Sequence, residues 1–448
     1  MKRTKIDMTQ GAILPALLSY AFPLMLGSLF QDLYHVADMS IAGHTMGDSA
    51  LAAISSTGVI TTLINPMLNG FCIGSSVQIS NRFGEKNHAM ARRCIAAMSI
   101  LCVCMMIAVT SSALLLLEPI LDLVKIPGEL REEASDYIRV ILLGIPATIL
   151  YDLFACTYRA VGDSKIPLIV LIFSAFTNTG LDYLFIVPFQ MGVRGAAVAT
   201  VVSQIAAAIL AWLFFVRRYP ELKISREDVR GCRQAMGDML PYGVSGAFTN
   251  SVFAIGAAAI QGTVNSLGAE VIVSQAASSK IKSFAMIPSA ALSNAAATFS
   301  AQNFGAHKIE RIRKGVHTVI GCGIVCTAVL YVLIRIFGEA SIRLITDTQN
   351  PTILEQARTM LFIAIPFILF QTAVMSYRMS VQGMCRKLIP ILGMAIELVI
   401  RCTFAFAVTP VMGYRAIAWS EPASWIIGAA SMGTAFYLIL RKEQKKRL

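Results

Sequence analysis

Six polar side chains set in otherwise apolar stretches are the residues of this chain with chemistry to offer. In the run Gln31-Asp32-Leu33-Tyr34-His35-Val36-Ala37-Asp38, a helical step of about 100° per residue puts Asp32, His35 and Asp38 within an arc of about 120°. Asn178 and Asp182 stand one helical turn apart on a second stretch, and Thr200 lies on a third. A charged side chain at mid-bilayer costs about 2.5 to 3.5 kcal/mol on insertion scales, so one that persists needs a partner or a function. Counting about 1.5 Å per residue from the segment ends places Asp38 about 7 Å, Asp182 about 9 Å and Thr200 about 6 to 7 Å below the same membrane face. Two carboxylates, an amide and a hydroxyl at one level match the oxygen ligands that a small hard cation such as Na⁺ takes. Equally, burial and mutual repulsion would favour one of the two carboxyls holding a proton. Asp38, Asn178, Asp182 and Thr200 therefore form a candidate site for Na⁺ or H⁺, with both ions open. Asp32 and His35 are candidates for an additional polar site, the plain alternative being hydrogen bonds between helices.

The elements that must position these groups follow from composition. With 56% hydrophobic and 14% charged residues, the chain lies far from a soluble domain, of which about a quarter is charged. A spanning helix needs roughly 20 apolar residues, and such runs recur near 13–42, 50–80, 91–116, 134–157, 166–187, 195–216, 237–264, 271–299, 316–337, 356–381, 389–411 and 416–440. A transmembrane barrel would instead show alternating segments of about ten residues. The fold class is thus an all-α integral membrane protein of twelve transmembrane helices. No short apolar stretch precedes a small-residue cleavage site, so the first segment is expected to remain as a helix.

The chain divides near its middle into two pseudo-symmetric six-helix lobes. Gly47 recurs as Gly268, Phe83-Gly84 as Phe304-Gly305, Gly162 as Gly383, and Met191-Gly192-Val193-Arg194 as Met412-Gly413-Tyr414-Arg415, all at a lag of 221 residues. The expected organisation is an N-lobe over 1–218 with the proposed cation site, a basic cytoplasmic linker over 219–236, and a C-lobe over 237–448. An even number of helices per half relates the copies by an axis along the membrane normal and places a cavity between the lobes.

The net charge of +12 might suggest nucleic acid, but the basic residues gather where hydrophobic segments end. Arg82/Lys86/Arg92/Arg93, Arg217/Arg218/Lys223/Arg226 and Lys308/Arg311/Arg313/Lys314 fall on alternate loops, together with the tail from Arg441. By the positive-inside rule both termini are cytoplasmic, in a multi-pass protein of the cell membrane whose partners are the lipid bilayer and a small organic molecule, not nucleic acid. A monomer is expected. The ten cysteines are scattered without metal-ligand spacing and read as reduced core residues. No nucleophile and base pair, histidine cluster or phosphate-cradling loop points to an enzyme or to a cofactor.

In the second half, Lys280 and Lys282, Glu397 and Arg401, and Glu421 form a possible charge network or substrate contact. Their basic excess suits a cargo with a carboxylate or phosphate. Pro23, Pro66, Pro146, Pro288 and Pro366 fall within apolar stretches, where proline frees carbonyls and kinks helices.

Several motifs, in order along residues 12 to 440, resemble the multidrug and toxic compound extrusion (MATE) family. They are Leu33-Tyr34-His35-Val36-Ala37-Asp38 with Ala42-Gly43, Arg159-Ala160-Val161-Gly162-Asp163, Asn178 to Asp182 with Phe185-Ile186, Gly195-Ala196-Ala197-Val198-Ala199-Thr200, Asn265-Ser266-Leu267-Gly268, Ile287-Pro288 and Gln302-Asn303-Phe304-Gly305. The resemblance implies a V-shaped antiporter of two six-helix lobes that expels drugs or metabolites in exchange for Na⁺ or H⁺ by alternating access. The family's N-lobe cation-site acids match Asp38 and Asp182, with Asn178 and Thr200 beside them. His35 stands where relatives often have Asn, and Ala155 where Asn can occur. Helices 7 and 10 lack the acids that some Na⁺-coupled relatives carry there, Gln261 and Gln371 being the nearest polar residues, which points to coupling in the N-lobe. The alternative function is a flippase for a lipid-linked precursor, kept open by Lys280, Lys282 and Arg401.

Overall fold

A computed structural model describes residues 6–124, 126–346 and 350–446, without the side chains of 36, 37, 39, 40, 42, 44, 48, 49 and 51. The described residues are helical, with no strand among them. In chain order the helices are α1 (Ile13–Gly84), α2 (His88–Leu115), α3 (Leu117–Val124), α4 (Arg131–Ala160), α5 (Lys165–Ile186), α6 (Gly192–Arg218), α7 (Arg226–Arg230), α8 (Arg233–Ser266), α9 (Ala269–Gly305), α10 (Ile309–Thr346), α11 (Pro351–Ala364), α12 (Ile368–Gly383), α13 (Ile389–Thr403), α14 (Thr409–Met412) and α15 (Tyr414–Lys445). Ten segments among the described residues are long and apolar enough to cross a membrane. The helical stretches 48–84 and Ala269–Gly305 are not among the ten. Both are rich in Ser, Thr, Asn and Gln, which lowers their hydropathy.

The expected break between the first two segments shrinks to one residue. Gly47, at φ 83° and ψ −179°, is the only non-helical position inside α1, and the neighbouring positions stay helical. Its counterpart Gly268 sits at φ 105° and ψ 168° between α8 and α9. Both conformations are closed to residues with a Cβ, so the glycines are fixed by the backbone they must adopt. The repeat extends to Lys86 and His307, at φ 60° and 63°, and to Gly192 and Gly413, at 57° and 56°. Among the prolines, Pro366 turns the chain through a 3₁₀ turn between α11 and α12, whereas α1 runs on helically through Pro23 and Pro66.

Two compact units emerge, drawn differently from a cut at the linker. Leu26–Ala247 forms the first, and Ile6–Met25 joins Phe248–Leu448 in the second. The segment 219–236 belongs to the first unit because it is nailed there: Arg92 on α2 pairs with Asp228 at 3.1 Å. Residues 6–12 belong to the second because its polar groups hold their carbonyls. Asn303 Nδ2 donates to Met8 O at 2.9 Å, Lys308 Nζ to Thr9 O at 2.8 Å, and Arg311 to Gln10 O at 2.7 Å and Gly11 O at 2.8 Å. In the first unit α6 packs against both α4 and α5 over a core that includes Met98, Ile138, Leu142 and Ile149. In the second, α12 packs between α9 and α15 around Leu361, Ile365 and Trp425.

Close helix approach in the first unit depends on small residues. A Cβ on Gly74 would overlap the Tyr242 carbonyl, and one on Gly246 the Gly70 carbonyl. Such small-residue contacts drive packing where lipid removes the hydrophobic incentive. Gly74→Val is expected to cost about 3 kcal/mol or more, the upper end for overpacking, because the group it meets is backbone. Loss of the monodisperse peak in detergent size-exclusion would show it.

Outside the membrane, Ser225 caps α7 and Asp228 completes the capping box. Its Oδ2 accepts from Ser225 N–H at 2.9 Å, Ser225 Oγ at 2.7 Å and Arg92 Nε at 3.1 Å. Burial opposes its charge, but these donors outweigh that and hold the carboxyl below its ordinary value. The resulting stabilisation is complete above the ordinary value and is lost as pH falls through the lower, folded one. Hydrogen exchange across Arg226–Arg230 should therefore quicken only below about pH 4. In Asp228→Asn it should already be fast at neutral pH.

Candidate functional site

The first unit brings Asp38, Asn178, Asp182 and Thr200 together from α1, α5 and α6. Asp182 is 0% exposed and Asn178 1%. With its amide oriented to satisfy both ends, Asn178 Nδ2 donates to Asp182 Oδ2 at 2.9 Å and to the Tyr34 hydroxyl at 2.8 Å, while its Oδ1 accepts from Thr200 N–H at 3.1 Å. Thr200 Oγ1 donates to Ala196 O at 3.0 Å within α6 and lies in reach of the Tyr34 hydroxyl. The Asp38 and Asp182 carboxyls approach within hydrogen-bonding reach of each other.

Chemistry follows from that approach. Two ionised carboxylates are acceptors only, so their contact is attractive when a proton or a cation lies between them. Asp182 Oδ1 is buried without a donor, an oxygen that the surrounding protein leaves unsatisfied. The donor set of two carboxylates, a hydroxyl and an amide fits a proton or a small hard cation. Among the described residues no group of three or more His, Cys, Asp and Glu gathers as a transition-metal site would require.

The remaining polar residues of α1 divide. His35 is exposed, near enough to Asp38 to act on its charge, with its ring 5.1 Å from that of Tyr34. Asp32 is half-buried, and among the described residues no hydrogen bond or ion pair joins it to the site. Two tyrosines stand beside these acids and were not read as site residues in the sequence. Tyr34 bridges through Asn178, and Tyr137 on α4 stands close enough to both acids to feel their charge. Tyr34 lies inside the quoted run 33–38 but was not read as a site residue, and nothing in the sequence marks Tyr137, because tyrosines are common where helices meet the membrane interface. Asp152 on α4 was also missed. It is buried, accepts from Asn69 Nδ2 at 3.0 Å, and would have been caught by the same filter for acids in apolar runs.

In the second unit the expected network forms in part. Lys282 pairs with Glu421, and Arg401 lies in electrostatic range of that pair. Glu397 pairs not with Arg401 one turn away but with Arg378 on α12, at 2.6 Å. Lys280 stays outside: it is exposed, with its ammonium 5.4 Å from the Phe284 ring centroid. Lys280 and Lys282 are about 200° apart around α9, so one turned inward excludes the other.

The MatE family model matches this chain twice, over residues 23–184 and 246–407. The chain belongs to the MatE family. The two matched stretches are equal in length, and their offset agrees within two residues with the 221-residue lag. Among MatE relatives, the chain is 29% identical to the probable multidrug resistance protein YpnP of Bacillus subtilis, over 75% of this chain and 76% of that protein. It is 26% identical to the probable multidrug resistance protein NorM of Thermotoga maritima, over 76% and 73%. A crystal structure of MATE in a bent conformation superposes with a TM-score of 0.91 at 19% identity, covering 100% of this chain and 99% of that one. An outward-facing multidrug resistance MATE family transporter of the MOP superfamily gives 0.89 at 19%, covering 99% and 100%. At that identity the superpositions speak to the MatE fold alone.

Proposed function

We propose that this chain is a secondary antiporter of the cell membrane, working as a monomer with both termini cytoplasmic. It exports small organic molecules in exchange for H⁺ or Na⁺ by alternating access. The observation that carries this reading is the meeting of Asp38 and Asp182, with a buried oxygen left without a donor, inside a membrane-spanning unit. A cation arriving from outside sits between the two carboxyls and offsets their mutual repulsion, lets Asn178, Tyr34 and Thr200 close around it, and so changes how α1 packs on α5 and α6. Cargo leaves in that state, and the site resets once the cation departs inward. One charge crossing 100 mV releases about 2.3 kcal/mol, close to fiftyfold accumulation per ion. Relatives named for multidrug resistance support export over lipid flipping.

Proteoliposomes with an imposed Na⁺ or H⁺ gradient test the reading. One of the two gradients is expected to drive ethidium or carboxyfluorescein against its own gradient. Vesicles that respond to neither gradient with either dye would contradict it.

A further inference from the structure

We propose that Arg401 is the anion-binding residue of a cargo site inside the second unit, and that the cargo carries a carboxylate, phosphate or sulfonate group. The proposal rests on the export reading above. Five ionisable side chains converge from α9, α12, α13 and α15: Lys282, Arg378, Glu397, Arg401 and Glu421. Three cations thus face two carboxylates. Arg378 and Glu397 close on each other at 2.6 Å, and Lys282 closes on Glu421. The cation left over is Arg401.

Arg401 is 5% exposed, so bulk water screens its charge poorly. Among the described residues its one hydrogen bond runs from Nε to Ser424 Oγ at 3.4 Å, a long contact, and that hydroxyl already donates to Glu421 O at 2.8 Å. The guanidinium lies over the Phe253 ring, 5.3 Å from its centroid. Among the described residues its two Nη groups donate to no protein acceptor, yet they are absent from the sealed, unsatisfied atoms, among which Arg378 Nε does appear. The Nη fork therefore keeps some accessible surface. Phe253, whose ring it overlies, is 48% exposed.

A planar pair of N–H donors, held against a ring and lacking a carboxylate, is the geometry that takes a carboxylate, sulfonate or phosphate in two parallel hydrogen bonds. Lys282 supplies a second positive charge across the Glu421 carboxylate. A cationic cargo would meet a net positive charge in a poorly screened interior, and an anionic one would complete the count. Gly256 on α8 lies against Leu398 and the Arg401 Cδ, so the backbone of α8 approaches the site closely enough to hold the arginine stem in place.

Binding of carboxyfluorescein, an aromatic polycarboxylate, and of ethidium to the purified full-length protein, followed by fluorescence polarisation without any ion gradient, tests this separately from coupling. The wild type is expected to bind carboxyfluorescein more tightly than ethidium. Arg401→Gln should weaken carboxyfluorescein by about tenfold or more while leaving ethidium unchanged or tighter. Arg401→Lys keeps the charge without the fork and should fall between. Preference for ethidium in the wild type, no carboxyfluorescein binding, or equal weakening of both dyes in Arg401→Gln would overturn the proposal. Should Arg401→Gln not fold, as judged by thermal unfolding, Arg401→Lys carries the test: unchanged carboxyfluorescein affinity with ethidium also unchanged would overturn it. A protein that binds carboxyfluorescein through Arg401 but responds to no gradient would leave this inference standing and remove the antiport.

Discussion

Asp182→Asn is expected to abolish ion-driven export, by about 100-fold or more, while the protein still inserts and folds. The asparagine has the shape of the aspartate it replaces and can still meet Asn178 and Asp38, so packing of α5 on α6 survives. What it cannot do is share a proton or a cation with Asp38, because the charge that attracts one is gone. Asp38→Asn should fail in the same way from the other side of the pair. Asp32→Asn is the control, since among the described residues half-buried Asp32 makes no hydrogen bond or ion pair with the site; it should retain export within about twofold, as a substitution away from the chemistry would. Dye transport in proteoliposomes, normalised to folded protein by size-exclusion, gives the three values. An Asp32 variant as impaired as the other two would move the site along α1.

The second large effect is on stability, in the other unit. Arg378→Ala leaves Glu397, 3% exposed, as an unpaired buried charge beside Gly428, whose Cβ position is 3.2 Å from the Glu397 Cγ. Removing one partner of such a pair costs about 3 to 5 kcal/mol, because the survivor keeps its desolvation cost and loses its compensation. Replacing both, as Arg378→Met with Glu397→Met, removes both charges at once and should recover most of the loss. Thermal unfolding in detergent of the two single variants and the double variant measures this. The pair would have no structural role if Arg378→Ala unfolded at the wild-type temperature.

Much of this arrangement was legible in the sequence, for reasons that individual residues explain. Apolar runs announce membrane helices because the bilayer demands them, and the acids at 38 and 182 stand out because that solvent penalises charge. Depth counted along each helix brought Asp38, Asp182 and Thr200 to one level, and the structure brings them together. What stayed hidden was lateral. Nothing in a linear pattern tells Arg378 that Glu397 lies opposite, since the two stand 19 residues apart on different helices. Likewise the contact of Met8 with Asn303 spans 295 residues, so the assignment of 6–25 to the second unit could not be read from a linker. Lys280 was grouped with Lys282 by proximity in sequence, although a helix turns adjacent-but-one residues to nearly opposite faces.

The most direct measurement is the infrared carboxyl band of the purified protein, titrated with pH at fixed Na⁺ and then with Na⁺ at fixed pH. Two acids sharing one small cation should give a protonated-carboxyl band that disappears as the proton leaves or as Na⁺ replaces it, and the band should be missing from both Asp38→Asn and Asp182→Asn. A titrating band that persists unchanged in both variants would contradict the account.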